Sequence, residues 1–171
     1  HEREEVVPLK GCIEKLVRGM APVARRRGVS FRMRISDGLR VAISRAELTQ
    51  VLQNVCENAI KYNRKRGRVL VSARQVGKRA LIGVYDTGIG VPKNDLARIF
   101  DRFHRAENAR LLTERGSGLG LSIVRAILDN HGCRAWAESV EGKGTTIFFT
   151  LPLAVGRRSR RAGRTPEDEL K

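Results

Sequence analysis

Aromatic residues make up only 5 % of this 171-residue chain, which also carries just 3 cysteines and 5 prolines. Cys12, Cys56 and Cys133 form no CxxC pair, which excludes a zinc ribbon and argues against a disulfide framework. They read as buried, apolar-like thiols in a reduced, cytoplasmic setting. No apolar run approaches the roughly 20 residues of a membrane span, and no signal-peptide pattern opens the chain. The first residue is His1 rather than Met, so a piece of a longer protein is expected, and a membrane-bound parent stays open. Acidic residues are scarce as well: 18 against 34 Lys and Arg, a net charge of +16. Such a surplus favours an anionic partner. The basic runs at 25–27, 61–68 and 157–164 carry a single aromatic, Tyr62, and no repeated interleaving, so a solvated arginine-rich surface is expected and a nucleic-acid interface is not.

What is present fits one domain able to bury roughly two thirds of its unfolded surface. Leu9, Ile13, Leu16, Val17, Met20 and Val23 recur at helical spacing until Gly28. Residues 31–35 alternate like a strand, and Asp37-Gly38 turns the chain into a second strand at 39–43. Ser44-Arg45-Ala46-Glu47 is a capping box, so a helix is predicted over about 45–63. Residues 68–75 and 80–85 read as paired strands around Gly77-Lys78, and 95–100 as a short helix. Residues 104–116 read as a mobile loop, 119–130 as a helix, and 133–139 and 145–151 as the last strands. This order predicts an α/β two-layer sandwich: a mixed, mainly antiparallel sheet covered on one face by three helices. Residues 1–5 would be the end of a linker, 6–155 the domain, and 156–171 a basic, disordered tail.

Chemistry concentrates in four segments. On a wheel of the helix at 45–63, Asn58 and Lys61 fall within about 40° of Asn54, with Leu48, Leu52, Val55, Cys56 and Ala59 opposite. Two amides and a cation on one face suit a Mg²⁺ shared with phosphate oxygens, and Tyr62 at the border offers a ring to a base. Asp86 ends an apolar strand where Thr87-Gly88-Ile89-Gly90 must turn. Its carboxylate can accept from an exocyclic amine, while Gly88 and Gly90 let backbone approach closely. Gly116-Ser117-Gly118-Leu119-Gly120-Leu121 opens the next helix, where free amides and the dipole form an anion site. Gly142-Lys143-Gly144-Thr145 is most simply a hairpin turn from which Thr145 could reach the base. Each alone also admits a plainer reading, as an amphipathic helix, an Asp-x-Gly turn, a glycine-rich segment or a hairpin. Together, in this order, they are the parts needed to hold Mg-ATP.

The set resembles the catalytic and ATP-binding domain of sensor histidine kinases, in the Bergerat-fold (GHKL) ATPase superfamily, over roughly residues 6–153. Residues 54–62 look like the asparagine box and 86–90 like the first glycine box. Residues 99–105 look like the phenylalanine box, with 116–121 and 142–145 as the second and third glycine boxes. The resemblance implies that Asn58 coordinates Mg²⁺ with support from Asn54, and that Lys61 contacts phosphate. Tyr62 would flank adenine, and Asp86, beside Gly88, Ile89 and Gly90, would bond its amino group. Gly116, Ser117, Gly118, Leu119, Gly120 and Leu121 would shape the phosphate end of an ATP lid over about 104–117. Phe100 and Phe103 would anchor that lid, and Arg105 would approach phosphate or a partner helix.

The family's phosphoacceptor box has no counterpart here, because only 57 positions separate His1 from Asn58. His104 belongs to the phenylalanine box and His131 to a helix end, so none of the three histidines is a credible acceptor. The implied reaction is donation of the γ-phosphoryl group to a histidine on a separate dimerisation and phosphoacceptor domain, followed by a response-regulator receiver. The alternatives are a DNA-handling ATPase, an anti-sigma serine kinase and a non-catalytic nucleotide sensor. Hydrolytic relatives generally carry Glu where Asn54 stands, and an amide is no general base at neutral pH.

Overall fold

The computed structural model describes residues 5–112, 116 and 118–155. The expected tail and all of the expected linker but Glu5 lie outside them. The chain opens on strand β1 (Val6–Pro8) and helix α1 (Leu9–Arg26), which buries Leu9, Ile13 and Val17. Next come β2 (Ser30–Ile35), β3 (Arg40–Ala42) and helix α2 (Arg45–Lys61). Ser44 caps α2, its Oγ accepting from Glu47 N at 3.2 Å, as the capping box requires. Strands β4 (Arg68–Val76) and β5 (Arg79–Asp86) form a hairpin, with Gly77 at a φ of 59° in the turn. Two short helices, α3 (Lys93–Leu96) and α4 (Glu107–Leu112), precede α5 (Gly120–Asn130) and a closing pair, β6 (Ala135–Val140) and β7 (Gly144–Pro152).

The main sheet runs β2-β4-β5-β7-β6, with β2 parallel to β4 and every other pair antiparallel. Helices α1, α2 and α5 pack against it, giving the two-layer sandwich that the element order predicts. The core lies between the layers: Leu9, Ile13, Leu48, Leu52, Val55 and Leu128 from helices meet Val69, Val71, Ile82, Phe149 and Leu151 from strands. The opposite face carries Tyr85 and a stacked Trp136–Phe148 pair, 5.4 Å between centroids.

Three local expectations change. The strands at 31–35 and 39–43 are not neighbours, since β2 joins the main sheet and β3 pairs with β1 in a separate ribbon. The helix expected at 95–100 is a single turn at 93–96, set by Pro92 before it. The loop at 104–116 contains α4, whose first amide, Glu107 N, donates to Asp95 Oδ2 at 3.2 Å.

Candidate functional site

Between α2, α5, the end of β5 and the α4 segment lies a cavity of about 410 Å³. Helix α2 reaches it with one face only. Its apolar residues Leu48, Val51, Leu52, Val55, Cys56, Ala59 and Ile60 are buried against the sheet, and burial pushes the Cys56 thiol up to about 12. This leaves Asn54, Asn58 and Lys61 half-buried and lining the cavity. The start of α5 abuts the same face: a Cβ on Gly120 would stand 3.7 Å from Asn54 Oδ1, and one on Gly116 would collide with Lys61 Nζ. One end of the cavity therefore gathers two amides, an ammonium and the N-terminus of an 11-residue helix.

The other end is built on Asp86. This residue is only 8 % exposed, and its Oδ1 accepts from Gly88 N at 2.8 Å and Thr145 N at 3.3 Å. Oδ2 takes no hydrogen bond from any described residue. Burial pushes the carboxyl up to about 6, opposed by the two backbone donors and the nearby Arg64 charge. Gly90 sits at a φ of 68° with no room for a Cβ beside Val140 O, and one on Gly144 would strike Asp86 O. Both glycines thus let the β6–β7 turn close onto the turn after β5. Thr145 is held there as well, its hydroxyl 2.8 Å from that of Ser139.

Of the residues singled out in the sequence, Asn54, Asn58, Lys61, Tyr62, Asp86, Ile89, Gly90, Arg105, Gly116, Gly118, Leu119, Gly120, Leu121 and Thr145 all line this one cavity. Gly88 does not, and acts on it through the bond to Asp86. Ser117 lies outside the described residues. Phe103 is not in the lining: the residue is 67 % exposed, with the Arg102 guanidinium over its ring at 5.8 Å. It has a φ of 62°, and its backbone N donates to Gly118 O at 3.0 Å. Phe103 meets the 116–121 segment through its main chain, and Phe100 is buried at 9 % exposure.

The sequence reading missed Glu57, Val91, Ile99, His104, Ala106, Asn108, Ala109 and Ile123, which also line the cavity. Glu57 lies beside Asn58 on α2, with Oε1 accepting from Gln53 at 2.9 Å. Asn108 on α4 donates to Gly90 O at 2.9 Å, joining the lid segment to the glycine turn. His104 meets Asp95 Oδ1 at 3.0 Å, so one aspartate holds both ends of the 104–107 bend. The lid expected over about 104–117 marked this stretch as part of the site, without naming which of its side chains line the cavity.

The donor set fits a magnesium ion in one particular way. Among the described residues no group of three or more His, Cys, Asp or Glu side chains could hold a metal. The amides of Asn54 and Asn58, with Glu57 beside them, suit a Mg²⁺ whose remaining ligands come from phosphate and water.

Residues 43–155 match the family model described as histidine kinase-, DNA gyrase B-, and HSP90-like ATPase. The sensor histidine kinase WalK of Bacillus subtilis (strain 168) is 46 % identical over 116 residues, 67 % of this chain and 19 % of that protein. The chain therefore spans about one fifth of that relative's length. Among solved structures, the mycobacterial sensor histidine kinase MprB is similar at a TM-score of 0.76 and 30 % identity, covering 87 % of this chain and 98 % of that one. Full-length ShkA in complex with AMPPNP is similar at a TM-score of 0.76 and 27 % identity, covering 90 % of this chain and 32 % of that one.

Proposed function

The chain belongs to the histidine kinase-, DNA gyrase B- and HSP90-like ATPase family, in its sensor-histidine-kinase form, and we propose that its cavity binds Mg-ATP and donates the γ-phosphoryl group to a histidine on a separate dimerisation and phosphoacceptor domain. The observation that carries this reading is the polarity of the cavity. A buried carboxylate with an unused oxygen stands at one end, and two amides, an ammonium and a helix N-terminus stand at the other.

Asp86 accepts from the adenine amino group through Oδ2, while Ile89 and Tyr62 flank the ring. Lys61 and the amides at the start of α5 neutralise and orient the phosphates. Asn58, supported by Asn54, would hold the Mg²⁺, which supplies charge neutralisation between phosphate oxygens. Phosphoryl transfer needs positioning and charge stabilisation more than covalent help from protein. Position 54 holds an amide, and Glu57, the carboxylate beside Asn58, accepts from Gln53 at 2.9 Å, which favours transfer over hydrolysis. A response-regulator receiver is the proposed next acceptor. Because its relatives are named sensor kinases, the domain is proposed as the cytoplasmic part of such a sensor. Among the described residues no helix is long and apolar enough to cross a membrane.

The test is incubation of the chain with labelled Mg-ATP, with and without a dimerisation and phosphoacceptor domain. Nucleotide binding, slow hydrolysis, no self-labelling and label on the added domain's histidine are expected. Fast DNA-stimulated hydrolysis without transfer would refute the reading.

A further inference from the structure

Arg64 lies within the basic run at 61–68, which composition assigns to solvated surface, yet its guanidinium joins two turns. Nη2 donates to Gly88 O at 3.0 Å and to Gly142 O at 2.7 Å. The first carbonyl belongs to the turn after β5, the second to the turn between β6 and β7. The same turns meet directly where Gly142 N donates to Ile89 O at 2.7 Å. The neighbours of Arg64 also hold the first turn: Tyr62 O accepts from Ile89 N at 3.1 Å, and Asn63 Oδ1 accepts from the Thr87 hydroxyl at 3.1 Å. Arg64 is the charged member of this set.

We propose that Arg64 is a positioning residue for base recognition: its bridge between the Gly88 and Gly142 carbonyls holds the turn that orients Asp86 toward an adenine amine. This rests on the reading of the cavity as an adenine-nucleotide site. The planar guanidinium fixes the directions of both N–H bonds, whereas a lysine ammonium keeps the charge without that fork. Its positive charge also acts on Asp86 in opposition to burial. The other charged or titratable groups lining the cavity are Glu57, Lys61, Tyr62, His104 and Arg105, all unchanged in the variants below.

The experiment measures Mg-ATP and Mg-GTP dissociation constants from about pH 5 to about pH 8 for the chain, Arg64→Met and Arg64→Lys. Arg64→Met is expected to weaken Mg-ATP binding about tenfold, since two hydrogen bonds to the turns are lost, and to weaken Mg-GTP less. It should also move the pH midpoint of Mg-ATP binding upward, because Asp86 loses a neighbouring cation. Arg64→Lys should keep the midpoint and still bind Mg-ATP several-fold more weakly. Equal losses for both nucleotides at an unmoved midpoint would leave Arg64 a structural role only and overturn the proposal, as would two variants that bind like the parent chain. Circular dichroism checks the fold of Arg64→Met. If that variant unfolds, Arg64→Lys decides: a narrowed ATP-over-GTP preference supports the proposal and an unchanged one overturns it. A parent chain that binds neither nucleotide, or both equally, refutes the site reading itself and is thereby distinguished from failure of the Arg64 role.

Discussion

Asp86 is 8 % exposed and has its carboxyl pushed up to about 6 from an ordinary 3.8, chiefly by burial. The folded chain therefore holds this proton more tightly than the unfolded chain does. The resulting stabilisation is fully present below about pH 3.8 and is lost as the pH rises through about 6. Above that window the buried negative charge costs roughly 3 kcal/mol, from about two pH units at 1.36 kcal/mol each. Asp86→Asn keeps an oxygen for Gly88 N and Thr145 N while removing the charge. It should raise the melting temperature at about pH 8 by several degrees, with a smaller gain at about pH 5. The same variant should lose adenine-nucleotide binding, because the ionised oxygen is the acceptor. In the parent chain, Mg-ATP affinity should fall as the pH drops below about 6, since a bound amine donor favours the ionised form. Calorimetry across that range checks this, and a flat profile would remove Asp86 from base recognition. Asn58→Asp should abolish phosphotransfer with circular dichroism unchanged, and full activity would refute its role at the metal.

At the scale of the element, α2 carries structure and chemistry on opposite faces, so the two can be perturbed separately. Ser44→Ala removes the oxygen that caps Glu47 N and should cost about 1 kcal/mol in denaturant unfolding. Mg-ATP affinity should stay unchanged, because Ser44 begins the helix and Asn58 lies in its last turn. A large affinity loss would mean that the cap positions the site. The cap, the two faces and the β4–β5 hairpin were legible because their causes are local: a Ser-x-x-Glu spacing, a 3.6-residue period, and a glycine at a positive φ. The pairing of β2 with β4 was not, because alternation marks a strand without naming its neighbour, and Ser30 pairs with Arg68 across all of α2. β1, at three residues, is too short to show a period, and α4 at six follows none: Leu111 is 84 % exposed. What starts α4 is Asp95, a carboxylate twelve residues away from the amide it accepts. Asn108 and His104 entered the cavity by that same non-local fold, whereas Asn54, Asn58 and Asp86 were legible because amide and carboxylate chemistry stood out against apolar neighbours.

For the whole molecule, the proposed transfer needs a histidine that can be reached by a phosphoryl group. His104 and His131 are 8 % and 14 % exposed at the side chain and face Asp95 and Glu47 at 3.0 and 2.8 Å, so neither offers a free imidazole. On the proposed function the acceptor sits on a domain that docks, and the surplus of +16 bears on how. Exposed charges more than a Debye length apart are largely screened, and that length falls from about 10 Å at 0.1 M salt to about 3 Å at 1 M. Nucleotide binding takes place in a partly enclosed cavity with its charges close by, where screening is weaker. On the proposed function, docking of an acidic phosphoacceptor or receiver domain would engage the exposed arginines, where screening is strong. Raising sodium chloride from about 0.05 M to about 0.5 M should therefore weaken domain docking by a larger factor than Mg-ATP binding. Dissociation constants for both, taken from the same preparation, check this. Docking that ignores salt while nucleotide binding responds would show that the basic surface faces no acidic partner, and that the arginine surplus steers the nucleotide alone.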